Sequence, residues 1–183
     1  MEKNIFFHYN KEKEIYMITK NKPRIDKINY YLDIAETVLE RGTCLRRKFG
    51  AVIVKNDEII STGYAGAPRG RKNCNELGYC AREKMQIPRG ERYEMCRSVH
   101  AEQNAIISAA RRDLIDSTLY LVGKEAIDDT YVKQANPCIL CKRFILNAGI
   151  KEVIIRKDKN NYEVIDTKTY IDNDESLDEK FGY

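Results

Sequence analysis

The chain has no long apolar run. No stretch of its 183 residues approaches the roughly 18 uninterrupted apolar residues of a membrane span, and Met1 to Glu14 holds no apolar core of the kind a secretory signal needs. A cytoplasmic setting is therefore the expectation. Charge of one sign is also scarce. The 32 Lys+Arg against 28 Asp+Glu leave a net +4, too small a surplus to argue for nucleic acid by itself and equally compatible with an anionic small molecule. Internal repeats and low-complexity tracts are missing, and 43% hydrophobic with 33% charged residues is close to the proportions of soluble globular proteins. Collagen-like and disordered classes are excluded. The length suits one domain with a sizeable core, which excludes a disulfide-stapled miniprotein.

What is present is an unusual set of thiols: Cys44, Cys74, Cys80, Cys96, Cys138 and Cys141. In a reducing compartment such residues favour metal binding or catalysis over disulfides. Residues 1–24 are polar and lysine-rich without a clear period and read as a flexible N-terminal extension, with Met17 as an alternative native start. From Asp26, apolar residues recur at three- and four-residue steps through Leu39, which predicts a helix of about four turns with Asp26 as N-cap and Gly42 as its stop. Phe49 to Val54 and Glu58 to Tyr64 read as two strands of a hairpin. Residues 65–97, with several Gly and Pro and three cysteines, read as a long irregular insertion.

Ser98 is a plausible cap for a helix running through Ala101, Ala105, Ile106, Ala109 and Ala110, followed by a strand over Thr118 to Val122. A third helix is expected from Pro137 to Gly149, then strands over Val153 to Arg156 and Tyr162 to Ile165. Residues 171–183 read as an acidic, solvated tail. The order α-β-β-α-β-α-β predicts an α/β fold, a three-layer α/β/α sandwich on a mixed five-stranded sheet.

Two of these helices begin on chemistry-bearing residues. His100-Ala101-Glu102 opens the second, and Pro137-Cys138-Ile139-Leu140-Cys141 opens the third. Cys138 and Cys141, three apart, share a helix face, and with His100 they offer one imidazole and two thiols, a donor set suited to tetrahedral Zn²⁺. Three protein ligands leave a position for water, as in catalytic zinc sites. Both motifs sit at helix N-termini, where the positive dipole end favours thiolates. Glu102, two residues from the ligand His100, is placed as a general base for that water.

The pattern H-x-E…P-C-x-x-C is that of zinc nucleobase deaminases. The chain resembles the deoxycytidylate (dCMP) deaminases of the zinc-dependent cytidine/deoxycytidylate deaminase superfamily. The resemblance is carried by Cys44-Leu-Arg-Arg-Lys-Phe-Gly-Ala-Val-Ile-Val-Lys, Ile60-Ser-Thr-Gly-Tyr-Ala-Gly-Ala-Pro-Arg-Gly, Asn73-Cys74, Val99-His-Ala-Glu-Gln-Asn-Ala-Ile and Asn147-Ala-Gly-Ile. It covers roughly residues 26–156, within a deaminase domain over 25–170, and implies hydrolysis of dCMP to dUMP and ammonia, in the supply of dUMP for thymidylate synthesis.

It further implies His100, Cys138 and Cys141 as zinc ligands and Glu102 as proton shuttle. The amide of Ala101 would hold the base O2 and the carbonyl of Asn136 would accept from the amino group. Usually an oligomer is implied, with a nucleoside triphosphate effector left open. Position 65 is Ala where the family usually has Asn, which removes an expected sugar contact. A monophosphate asks for cationic or backbone donors, and Arg46, Arg47, Lys48, Arg69 and Arg71 are candidates, solvated surface charge being the alternative for each. The run Gly123 to Ala135 is longer than the family leads one to expect.

Cys44, Cys74, Cys80 and Cys96 suit a closed structural zinc, and some dCMP deaminases have a second zinc in this region. Buried free thiols and disulfides are the alternatives. The competing readings of the whole are the same zinc chemistry on another nucleotide, nucleoside, base or tRNA adenosine, and a non-catalytic zinc module. Glu102 argues against the last, since a structural site has no need of a base.

Overall fold

A computed structural model describes residues 24–88 and 90–173. The expected N-terminal extension, and the acidic tail from residue 174 on, lie outside the described residues. Asp26 caps α1 (Lys27–Leu39), its carboxylate accepting the Asn29 amide at 2.9 Å. The helix stops at Leu39 with Glu40 as cap, short of the expected Gly42. Asn56 and Asp57, both at positive φ, turn the chain from β1 (Arg47–Lys55) into antiparallel β2 (Glu58–Tyr64), as two-residue hairpin loops require.

The segment expected to be irregular carries α2 (Cys74–Leu77), α3 (Ala81–Lys84) and a 3₁₀ turn at Tyr93–Met95. These one-turn pieces are too short to show a sequence period. Polar ties stand in for a core there: Asn73 Oδ1 accepts from Thr43 Oγ1 and the Ala67 amide, and Arg97 Nε donates to the Lys72 carbonyl. An antiparallel bridge between Gly66 and Val99 closes the two ends of the segment.

Beyond it come α4 (Ala101–Ile107), α5 (Arg111–Leu114), β3 (Thr118–Glu125), α6 (Ile139–Ala148), β4 (Glu152–Arg156), β5 (Tyr162–Asp166) and α7 (Thr169–Asp172). The helix expected to run through Ala110 ends at Ile107, and Ala109 and Ala110 fall in the link to α5. Its cap is His100, not Ser98. The third expected helix starts two residues later than Pro137, with Cys138 as N-cap and Gly149 (φ 81°) closing it.

The strands form one mixed sheet in the order β2-β1-β3-β4-β5. The pair β3–β4 is parallel and the other pairs are antiparallel. Alternation along β1 and β3 sends Val52, Val54, Tyr120 and Val122 to the face under α1, with Leu32, Ala35 and Leu39. Ala51, Ile53, Leu119 and Leu121 go to the face under α4 and α6, with Ala101, Ala105 and Ile145. The result is the expected α/β/α sandwich.

Two glycines let helices lie directly on strands. A Cβ at Gly50 would stand 2.2 Å from the Ala35 carbonyl oxygen, and one at Gly63 would stand 2.2 Å from that of Ala101. The second contact presses the start of α4 onto β2.

On the α1 face a charged cluster accompanies the apolar packing. Arg156, 2% exposed, pairs with Asp33 at 2.7 Å and Glu36 at 3.0 Å. Lys124 pairs with Glu36 and Asp129, both at 2.9 Å, and Tyr131 donates to Glu36. These contacts bind the run 123–135, which folds back on β3 through the Lys124–Tyr131 bridge, to α1.

Candidate active site

His100 ends the Gly66–Val99 bridge and opens α4, so its position is set from both sides. Its amide donates to Gln103 Oε1 at 3.1 Å, while the Asn104 side chain donates to the Tyr64 carbonyl at the end of β2. Cys138 caps α6 and Cys141 lies in that helix's first turn. The two elements bring His100 Nδ1 to 3.3 Å from Cys138 Sγ and 3.4 Å from Cys141 Sγ. Among the described residues this is the one group of three or more metal-binding side chains whose donor atoms all lie within 4.8 Å of one another.

A tetrahedral zinc bonded at 2.0–2.3 Å holds its donors roughly 3.5 Å apart, so spacing and donor chemistry both fit the ion. The sulfur of Cys96 also reaches His100, yet it is outside the group that shares this spacing. The set therefore has the three-ligand form that leaves a position open.

The electrostatics of the trio are those of a site made to hold a cation. Burial pulls the His100 imidazole down, but hydrogen bonds with Cys138 and Cys96 and the charge of Glu102 push it up to about 11. The hydrogen bond with Cys141 draws the Cys138 thiol down to about 4, with His100 acting in the same direction and burial opposing. Cys141 moves up, through its hydrogen bond with Cys138 and its burial. Cys138 is thus the first of the two to ionise.

Glu102 is 5% exposed. Burial raises its carboxyl above the ordinary range, His100 pulls it back, and Cys138 adds to the rise. A carboxyl whose protonated form is favoured in this way is suited to pass protons.

His100 and Cys138 open onto a cavity lined also by Ala65, Ala101, Glu102 and Asn136, while Cys141 is fully buried. The folded-back run contributes Val132 and Gln134 to it, so the long segment before Pro137 is part of the pocket wall. Ala65 is buried, its amide bonded to the Phe49 carbonyl at 3.0 Å, and presents only a methyl group there. Of the cationic candidates, Arg46 and Arg47 line the cavity. Arg69, Arg71 and Lys48 are not among its lining residues, and Arg69 is exposed.

Sequence reasoning missed Phe49, Arg82 and Tyr93, which also line the cavity. Arg82 and Tyr93 belong to one-turn elements with no periodic signal. Cys44, Cys80 and Cys96 line the same cavity, and all three act electrostatically on the buried Cys74 thiol, which burial raises first of all. No three of these four sulfurs lie within 4.8 Å of one another, and all six cysteines are free thiols.

Residues 25–157 match the family described as "Cytidine and deoxycytidylate deaminase zinc-binding region". A deoxycytidylate deaminase of Schizosaccharomyces pombe is 33% identical over 160 residues, 87% of this chain and 46% of that protein. One from Mycobacterium phage D29 is 35% identical over 140 residues, 74% of this chain and 98% of that protein. The chain thus spans less than half the length of the fission-yeast relative and nearly all of the phage one. Among solved structures, the dCMP deaminase of cyanophage S-TIM5 in complex with dCMP and dUMP superposes with a TM-score of 0.50 at 26% identity, over 74% of this chain and 84% of that one. Among the described residues no helix is long and apolar enough to cross a membrane.

Proposed function

The chain belongs to the cytidine and deoxycytidylate deaminase zinc-binding family, and from that premise we propose that it hydrolyses dCMP to dUMP and ammonia. The observation that carries the reading is the meeting of His100 Nδ1 with the two sulfurs of Cys138 and Cys141 beside a buried Glu102. Zinc, when bound by these three, lowers the pKa of water from about 15.7 towards 7 and so supplies a nucleophile at neutral pH.

The chain's own groups do the rest. Glu102 takes the proton of the attacking water and delivers it to N3 as oxygen adds to C4. The same carboxylate then takes the remaining proton from the new C4 hydroxyl and hands it to the amine, the C4–N4 bond breaks, and ammonia leaves as the C4 carbonyl forms. The Ala101 amide holds O2, the Asn136 carbonyl accepts from the amino group and so selects it, and Arg46 adds positive charge for the nucleotide. Cytoplasmic location and assembly into an oligomer belong to the same reading, with a nucleoside triphosphate effector left open. Cys44, Cys74, Cys80 and Cys96 are proposed to hold a second, structural zinc, which would draw their sulfurs closer than they now stand.

The test is ammonia release from dCMP, dCTP, CMP, deoxycytidine, guanine and adenosine-containing tRNA, with zinc quantified on the same sample. Turnover of dCMP is expected. Turnover of another member instead would move the substrate within the same chemistry, and silence from a zinc-loaded protein would overturn the catalytic reading.

A further inference from the structure

We propose that Arg82 is the residue that receives the phosphate of the nucleotide and makes the pocket select a monophosphate over a nucleoside; this rests on the nucleotide reading above. Arg82 lies on α3, inside the cysteine-containing segment, and lines the same cavity as Ala101, Glu102 and Asn136. It is 6% exposed, an unusual place for a side chain that keeps its charge at any physiological pH. One guanidinium nitrogen donates to the Pro88 carbonyl at 2.9 Å and to that of Glu91, while Nε is buried without a partner.

Among the described residues, the other two arginines of the wall each share their charge with a carboxylate. Arg46 pairs with Glu83 at 3.1 Å and Arg47 with Glu125 at 2.9 Å. Among the described residues no carboxylate lies within ion-pair distance of Arg82, although its charge acts on Glu94 and on the Cys96 thiol. A buried charge without a close counter-ion is costly, and two backbone carbonyls answer only part of that. A phosphate supplies what is missing, since the guanidinium fork suits two of its oxygens and the bonds to both carbonyls leave from Nη2, so that Nε and Nη1 remain to donate.

The placement also suits the reaction. The guanidinium carbon stands 4.8 Å from the centroid of the Tyr93 ring, and that ring stands against His100. Arg82 is therefore one side chain removed from the metal-binding imidazole, so an anion on it and a base at the metal trio share one cavity.

Calorimetric titration of the zinc-loaded protein with dUMP and with deoxyuridine reads the phosphate increment without any turnover. Wild type is expected to bind dUMP more tightly than deoxyuridine. In Arg82→Gln the ratio of the two affinities should shrink about 10- to 100-fold, the range for a lost hydrogen bond to a charged group, and Arg82→Lys should recover part of it. An unchanged ratio, with or without a parallel fall in both affinities, would mean that Arg82 only holds the Pro88 and Glu91 carbonyls, and would overturn the assignment. Should Arg82→Gln fail to fold, wild-type crystals grown with dUMP decide: phosphate oxygens within hydrogen-bond distance of Arg82 support it, and phosphate held elsewhere overturns it. Absence of dCMP deamination together with the expected ratio would sink the proposed reaction alone.

Discussion

The ring of Tyr93 stands edge-on to the imidazole of His100, with centroids 5.6 Å apart and planes at 88°. An edge-to-face pair of this kind restricts rotation of the imidazole, and it keeps Nδ1 aimed at the sulfurs of Cys138 and Cys141. Residues that orient metal ligands without touching the ion typically contribute 10- to 100-fold in metal affinity. Tyr93→Ala is expected to lose zinc to a competing chelator at about tenfold lower chelator concentration, with the fold intact by circular dichroism. Equal retention in variant and wild type would show that the helix cap alone orients His100.

Glu102→Gln keeps the size of a buried side chain while removing its acid–base capacity. Turnover should fall by about 10² to 10⁴, with zinc content and melting temperature close to wild type. Substantial residual turnover would remove Glu102 from the shuttle role.

Gly63→Ala tests how the metal-binding helix is seated. The added methyl would meet backbone on α4 at 2.2 Å, and backbone cannot rotate away as a side chain can. We expect a loss of about 1–3 kcal/mol in denaturant unfolding together with reduced turnover, because the shifted segment starts at Ala101 and carries Glu102. A fully stable variant would mean that β2 yields instead.

Glu36 sets an acid limit on stability. Burial acts to raise its carboxyl, but the hydrogen bonds from Lys124 and Tyr131 and the nearby Arg156 outweigh this, and the group lies below its ordinary value near 4.5. A carboxylate whose folded value is depressed adds stability that is fully present above its unfolded pKa and fades as pH falls through the folded one. Urea unfolding should therefore weaken from about pH 4.5 downward. Glu36→Gln should be less stable at pH 7 and show a flatter profile below pH 5; an unchanged profile would refute the assignment to this residue.

Zinc stoichiometry tests the four remaining thiols. Elemental analysis is expected to give two zincs per chain, falling to one in Cys74→Ser. One zinc in both proteins would leave Cys44, Cys74, Cys80 and Cys96 as free thiols around the pocket.

Sheet and metal trio are both legible in the sequence, for a physical reason. Strands such as β1 and β3 declare themselves through short apolar runs, Ala51 to Val54 and Leu119 to Val122, and His100, Cys138 and Cys141 are residue types whose spacing carries their chemistry. Helix ends were misplaced by two or three residues, because Ser98 and Pro137 satisfy the composition rules for a helix start as well as His100 and Cys138 do. Arg82 was invisible because its significance lies in burial without a close counter-ion, which no local pattern encodes. The same holds for Arg156 and Lys124, whose partners on α1 are roughly ninety to one hundred and twenty residues away in sequence.

The separation of His100 from Cys138 and Cys141, 38 and 41 positions along the chain, makes the ion a clasp on tertiary structure. No short fragment carries all three donors, and the grip exists only once α4 and α6 have both settled on one face of the sheet. Metal capture thereby becomes a late event in maturation that reports a finished domain, and stripping the ion exposes both helices to proteases together, since binding and folding free energy are then one quantity.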